Sequence, residues 1–142
     1  MPDSCELISL TVQNAQMGKE GIEHLLKISK DDAFREALGR QYAEYNAFEQ
    51  EGRDLLRDRS AEIPELGAMA KAGSYLSTEI NSALDRSTEQ LADMMIQGTT
   101  MGIVKLIRKR RAFGGADAAA DGLAARLISA EERNVEEMKR FL

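Results

Sequence analysis

The sequence predicts an all-α fold: an antiparallel four-helix bundle of two helical hairpins, joined by a long crossover that contains a short helix. Three observations carry this. Apolar residues recur at helical spacing over four stretches of roughly 25 residues each. With 2 prolines among 142 residues, little interrupts those stretches. The first and third links are short, which forces antiparallel neighbours, whereas the second is long enough to cross the bundle. A chain of this length buries roughly 68–70% of its unfolded surface. One domain over residues 1–142 therefore holds its own core, and the single cysteine, Cys5, offers no intrachain bridge.

The first helix is expected over about 4–29 and the second over about 32–58. Between them, Ser29-Lys30-Asp31-Asp32 supplies a turn and N-capping side chains. The second helix is expected to stop between Ser60 and Pro64, because Pro64 lacks an amide hydrogen and its ring disfavours helical backbone at Ile63. The third helix, about 86–112, is stopped by Gly114-Gly115, and the fourth runs over about 117–141. Within the crossover, Leu66, Met69, Ala70, Tyr75, Leu76 and Ile80 have helix-like spacing, which predicts a connecting helix over about 65–82. The two halves of the chain echo each other weakly. Gln13-Asn14-Ala15-Gln16-Met17-Gly18 resembles Gln97-Gly98-Thr99-Thr100-Met101-Gly102, and Ala43-Glu44 with Phe48-Glu49 can be laid on Ala130-Glu131 with Val135-Glu136.

Projection at about 100° per residue sorts each helix into faces. The first turns Leu7, Ile8, Leu10, Ala15, Ile22, Leu25 and Ile28 inward, with Thr11, Asn14, Gly18 and Gly21 among them. The second presents Phe34, Leu38, Gln41, Tyr45, Phe48, Gly52 and Leu55, with Glu44 and Glu49 on opposite flanks. The third presents Leu84, Leu91, Ala92, Met95, Ile103 and Leu106, with Thr88, Gly98, Thr99 and Gly102. The fourth presents Ala124, Leu127, Ile128, Val135, Met138 and Leu142, and Glu131 stands in the middle of that apolar stripe. A carboxylate there must find hydrogen-bond or charged partners, take a proton or bind a cation, because a lone buried charge is too costly. Residues equidistant from a hairpin turn lie side by side, so a polar layer is expected at mid-height from Asn14, Tyr45, Thr99 and Glu131. Thr11, Gln41 and Thr88 are its extensions. Two readings of that layer stand: a satisfied hydrogen-bond layer that fixes register, and a small-molecule or metal pocket.

This pattern of two hairpins, a crossover, echoing halves and a mid-bundle polar layer resembles the ferritin-like superfamily. The segments Gln13 to Ile22 (QNAQMGKEGI) and Met94 to Ile103 (MMIQGTTMGI) are similar to those of small bacterial ferritin-like proteins without an assigned activity. The resemblance implies a di-iron centre built from one glutamate on each of two helices and a Glu-x-x-His pair on each of the other two. The matching positions here are Glu44 with Ala47 and Glu131 with Asn134, so both histidines are missing, and the inward arcs of the first and third helices carry no glutamate. His24, the only histidine, lies at the edge of its arc near the hairpin end. One carboxylate with neutral oxygens is a poor iron site. The expected function is therefore a non-catalytic binding or structural protein with a degenerate di-iron site, and no cofactor is expected. The alternative is a metal-binding protein or metal-dependent oxidoreductase that keeps a carboxylate site at Glu131, with Glu44 and Glu49 as weak candidate ligands.

A net charge of −5 disfavours nucleic acid, whose phosphates repel an acidic surface. The local exception is Lys105, Arg108, Lys109, Arg110 and Arg111. These cations complement the helix dipole, or else contact an anion or an acidic partner. Met94 and Met101 project away from the centre of their arc, which points to an inter-subunit surface and a homodimer, or to cover by the connecting helix. No stretch approaches the roughly 20 apolar residues that cross a bilayer. With no basic start followed by a long apolar run, a cytoplasmic location is expected. No phosphate loop, nucleophile elbow or Ser/His/Asp set can be assembled.

Overall fold

Apolar periodicity places the helices, and local capping sets their ends. The computed structural model describes residues 2–64, 86–113, 115 and 117–142. Among these residues there are four helices and no strand: α1 (Pro2–Ile28), α2 (Asp32–Asp58), α3 (Thr88–Phe113) and α4 (Ala118–Lys139). The connecting helix expected over about 65–82, and Leu84, lie outside the described residues.

Ser29 closes α1 by donating its hydroxyl to the Leu25 carbonyl at 2.5 Å, and Asp31 caps α2 by accepting from the Phe34 N–H at 2.8 Å. The second helix ends at Asp58, before Pro64 is reached. The chain turns there because Ser60 takes a left-handed conformation (φ 53°) and the Ala61 N–H reaches back to the Leu56 carbonyl at 2.9 Å. That closure satisfies end carbonyls without help from proline. At the α3–α4 junction Gly115 has φ 72°, a backbone that glycine adopts without steric cost. Asp117 then caps α4, accepting from the Ala119 and Ala120 N–H groups at 3.1 and 3.2 Å. Its carboxylate also holds Arg59 from the end of α2.

Helix α1 packs against all three others, and α4 packs against α1, α2 and α3. Partner numbers fall along one helix as they rise along the other. Tyr42, Asn46 and Glu49 of α2 bond to Glu23, Lys19 and Gln16 of α1. Gln41, Glu44 and Glu51 meet Glu137, Arg133 and Arg126 of α4. Gly102 and Lys109 of α3 meet Asn14 and Glu6 of α1.

Two apolar clusters fill the interior. One gathers Ile22, Leu25, Phe34, Leu38, Tyr45, Leu91, Leu106 and Leu127, with Phe34 edge-on to Phe141 at 5.2 Å between ring centres. The other gathers Leu7, Ile8, Val12, Leu56, Leu123 and Ala124. On α1 the change from one to the other falls between Val12 and Ala15, at Asn14. Several inward assignments change, among them Gly98, which is exposed, and Leu123, which is fully buried. Leu56 is fully buried where Leu55 was expected, because the last turns of α2 face both α1 and α4. Val12 is also fully buried, pressed against Gly52. Leu142 is 59% exposed, since it lies past the last turn of α4. No helix among the described residues is long and apolar enough to cross a membrane.

Candidate functional site

Glu131 sits on the inner face of α4 with 1% of its surface exposed. Helical spacing puts it one turn beyond Leu127 and Ile128, so the sequence has no way to turn it outward while those two pack. Its oxygens are met from two other helices. Asn14 of α1 donates its carboxamide to Oε1 at 2.8 Å, and the Tyr45 hydroxyl of α2 donates to Oε2 at 3.0 Å. Asn14 Nδ2 also reaches the Gly102 carbonyl of α3 at 3.3 Å.

Glycines make this convergence possible. A Cβ at Gly18 would stand 2.5 Å from Cε2 of the buried Tyr45 ring, and one at Gly102 would collide with the Asn14 carboxamide oxygen. Both rings of contact leave space beside them. A cavity of about 290 Å³ is walled by Met17, Gly18, Met94, Met95, Gly98 and Met101, and Glu131, Asn14, Tyr45 and Thr99 also line it. Lys105 also lines it and is exposed, as are Gly98 and Met101, so the cavity opens along α3. The volume corresponds to about ten water molecules at liquid density. The echoing segments face one another across it: Asn14, Met17 and Gly18 from α1, and their counterparts Gly98, Met101 and Gly102 from α3.

Burial pushes the Glu131 carboxyl up to about 8, and the hydrogen bonds from Tyr45 and Asn14 offset only part of that effect. Burial and the neighbouring Glu131 charge together hold the Tyr45 phenol well above its ordinary value. Thr99 and Asn134, close by, act the other way on Tyr45. Among the described residues, Asn134 Nδ2 is a buried donor that forms no hydrogen bond. The site is thus a carboxyl that changes charge near neutral pH, set in an apolar and polarisable wall. It can bind hydrogen-bond donors, and it can take or release a proton.

The other candidate residues are spread over the bundle. Thr11 is buried but donates its hydroxyl to the Leu7 carbonyl of its own helix at 2.8 Å, so it does not extend the layer. Gln41 bonds to Glu137 at 2.9 Å and belongs to a different polar group. Thr88 opens α3, about 16 Å along the helix from Thr99 at 1.5 Å per residue. Glu44 pairs with Arg133 of α4 at 3.4 Å and takes no part in the Glu131 network. His24 is half-buried.

The basic run is divided among several tasks. Lys109 pairs with Glu6 at 2.7 Å and Arg110 with Asp121 at 2.7 Å, while Arg108 and Arg111 are exposed. Glu49, expected on a flank, is 6% exposed and is held by Lys19 at 3.0 Å, Arg53 at 2.8 Å and Gln16 at 3.0 Å. Burial raises its pKa, but the bonds from Lys19, Gln16 and Arg53 outweigh burial and leave it below the usual carboxylate range. Arg53 at i+4 was the one signal in the sequence for this partner set. Among the described residues no three His, Cys, Asp or Glu side chains stand together as metal ligands.

Fold and site together define, among the described residues, four helices around a largely apolar cavity floored by one buried carboxyl. No family model, curated protein or solved structure matches the chain.

Proposed function

We propose that this chain is a non-catalytic binding protein that takes a small organic molecule into the cavity between α1, α2, α3 and α4. The cavity itself carries the reading: about 290 Å³ of open space beside the Glu131–Asn14–Tyr45 network, just under the roughly 300–1,000 Å³ of ligand pockets. Its lining joins a largely apolar wall to a few convergent polar groups, the pattern that gives a ligand both affinity and orientation. The architecture behind it is a ferritin-like antiparallel bundle of two hairpins joined by a crossover. The opposed order of partner residues along α1–α2, α2–α4 and α1–α3 supports that arrangement. A degenerate di-iron site fits the same picture, since Arg133 holds Glu44, and Lys19 and Arg53 hold Glu49.

The test is binding of a neutral probe, 2-phenylethanol, followed by nuclear magnetic resonance shifts of the methionine methyl groups. Wild type is expected to show saturable shifts, and Gly98→Leu to lose them. Gly98 lines the cavity, and a Cβ there meets nothing within 4 Å, so a larger side chain is accommodated at this position and is expected to narrow the mouth. Equal binding to both proteins, or to neither, sinks the proposal. Self-association is a second part of the reading, supported by Met101 and Val104, which are 53% and 39% exposed on α3. A monomer in sedimentation velocity removes that part.

A further inference from the structure

We infer that the ligand of this cavity is a small organic ammonium ion, its positive group seated against Glu131 and its apolar body between the methionines. The inference rests on the cavity reading above and specifies what the cavity selects.

Two carboxylates are buried among the described residues, and they differ in one respect. Glu49 is matched by two cationic side chains, Lys19 and Arg53. Glu131 has none: its two partners, Asn14 Nδ2 and the Tyr45 hydroxyl, are neutral donors, and it forms no ion pair among the described residues. A carboxylate offers about four acceptor positions, so two stay open after these bonds. The positive charge that Lys19 and Arg53 supply to Glu49 is the group missing at Glu131, which lines a cavity large enough to admit one.

The rest of the wall suits the same ion. Ammonium groups are attracted to aromatic faces, and Tyr45 lines the cavity beside Glu131. The thioethers of Met17, Met94, Met95 and Met101 are polarisable and adapt to an alkyl or aryl body. An anionic ligand would meet a carboxylate at the floor, and its only cation on the lining would be the exposed Lys105 at the rim. A metal ion would find one carboxylate and neutral oxygens, where such ions favour several charged or imidazole ligands.

Binding is coupled to a proton. The groups facing Glu131 are Asn14 from α1, which does not titrate, the Tyr45 phenol from α2, held well above its ordinary value by burial and by Glu131, and Thr99 from α3 with Lys105 at the rim. Glu131 is thus the group that changes state near neutral pH, being pushed up to about 8 by burial. An incoming ammonium pairs with the carboxylate form, so each event below that pH releases the carboxyl proton to solvent. The affinity is expected to rise about tenfold per pH unit up to about 8 and then level.

The experiment titrates 2-phenylethylamine, 2-phenylethanol and phenylacetate into wild type, Glu131→Gln and Gly98→Leu by calorimetry from pH 6 to 8, in buffers of different ionisation enthalpy. The amine is expected to bind wild type most tightly at pH 8, to weaken about fiftyfold by pH 6, and to release a proton. Glu131→Gln is expected to bind the amine no better than the alcohol, and Gly98→Leu to bind neither. If wild type prefers the alcohol or phenylacetate, or binds the amine with no pH dependence, the ammonium inference is overturned while the cavity reading stands. If no probe binds wild type, or Gly98→Leu binds all three as wild type does, the cavity reading itself fails. The wild-type pH profile decides the matter even if Glu131→Gln does not fold.

Discussion

Replacing Glu131 by glutamine removes a charge change that the folded protein resists. The carboxyl is pushed from its ordinary 4.5 to about 8 by burial, so folding favours its protonated form. Below pH 4.5 the group is protonated in both folded and unfolded chains, and its contribution to stability is fully present. Between pH 4.5 and 8 the unfolded chain ionises while the folded one keeps its proton, so stability falls by about 1.4 kcal/mol per pH unit. Across the whole window the loss approaches about 5 kcal/mol, and above pH 8, where both forms are ionised, it grows no further. Glutamine has nearly the same shape and does not titrate. The expected outcome is that Glu131→Gln gains on wild type by about 5 kcal/mol as pH rises through this window. Urea unfolding followed by circular dichroism at a series of pH values measures it, and the subtraction cancels every other titrating group. A stability difference that stays constant from pH 5 to 8 would refute the reasoning, because Glu131 would then carry the same charge folded and unfolded.

The remaining predictions concern close approaches and the second buried acid. Gly102→Ala drives a methyl group into the Asn14 carboxamide and is expected to destabilise by about 1–3 kcal/mol. Gly39→Ala, on the exposed face of α2 with nothing within 4 Å of its Cβ, is expected to stabilise by about 0.5–1 kcal/mol. Thermal unfolding distinguishes the two signs, and a stabilised Gly102→Ala contradicts the packing described. Glu49→Gln is expected to lose about 1–3 kcal/mol at neutral pH, since it forfeits charge-assisted bonds to Lys19 and Arg53. The wild-type Glu49 pKa is lowered, so that deficit is present above the ordinary carboxylate range and shrinks as acid protonates the wild-type group. A deficit unchanged in acid argues against the ion pairs as its source.

The four helices were legible because each needs only local information: apolar spacing, caps at Asp31 and Asp117, and glycine at 115. For α2 the place of the end was legible but not its cause. Pro64 drew attention, but the turn is made by Ser60 in a left-handed conformation, which its residue type does not announce. Glu131 stood out because an acid in an apolar stripe needs no partner to be noticed. Glu49 did not, since its burial depends on how closely α1 approaches α2, and that approach is set by pairs such as Gly18 with Tyr45 and Gly52 with Val12.

The sequence by itself determined the helices, the inward carboxyl and the presence of a single histidine. Tertiary structure alone decided which polar side chains share a site. Thr11 spends its hydroxyl on its own helix and Gln41 meets Glu137, while Asn14 and Tyr45 converge on Glu131. The cavity, too, exists only in three dimensions. A glycine on one helix leaves room only if the facing helix declines to fill it, and no single helix records what stands across from it.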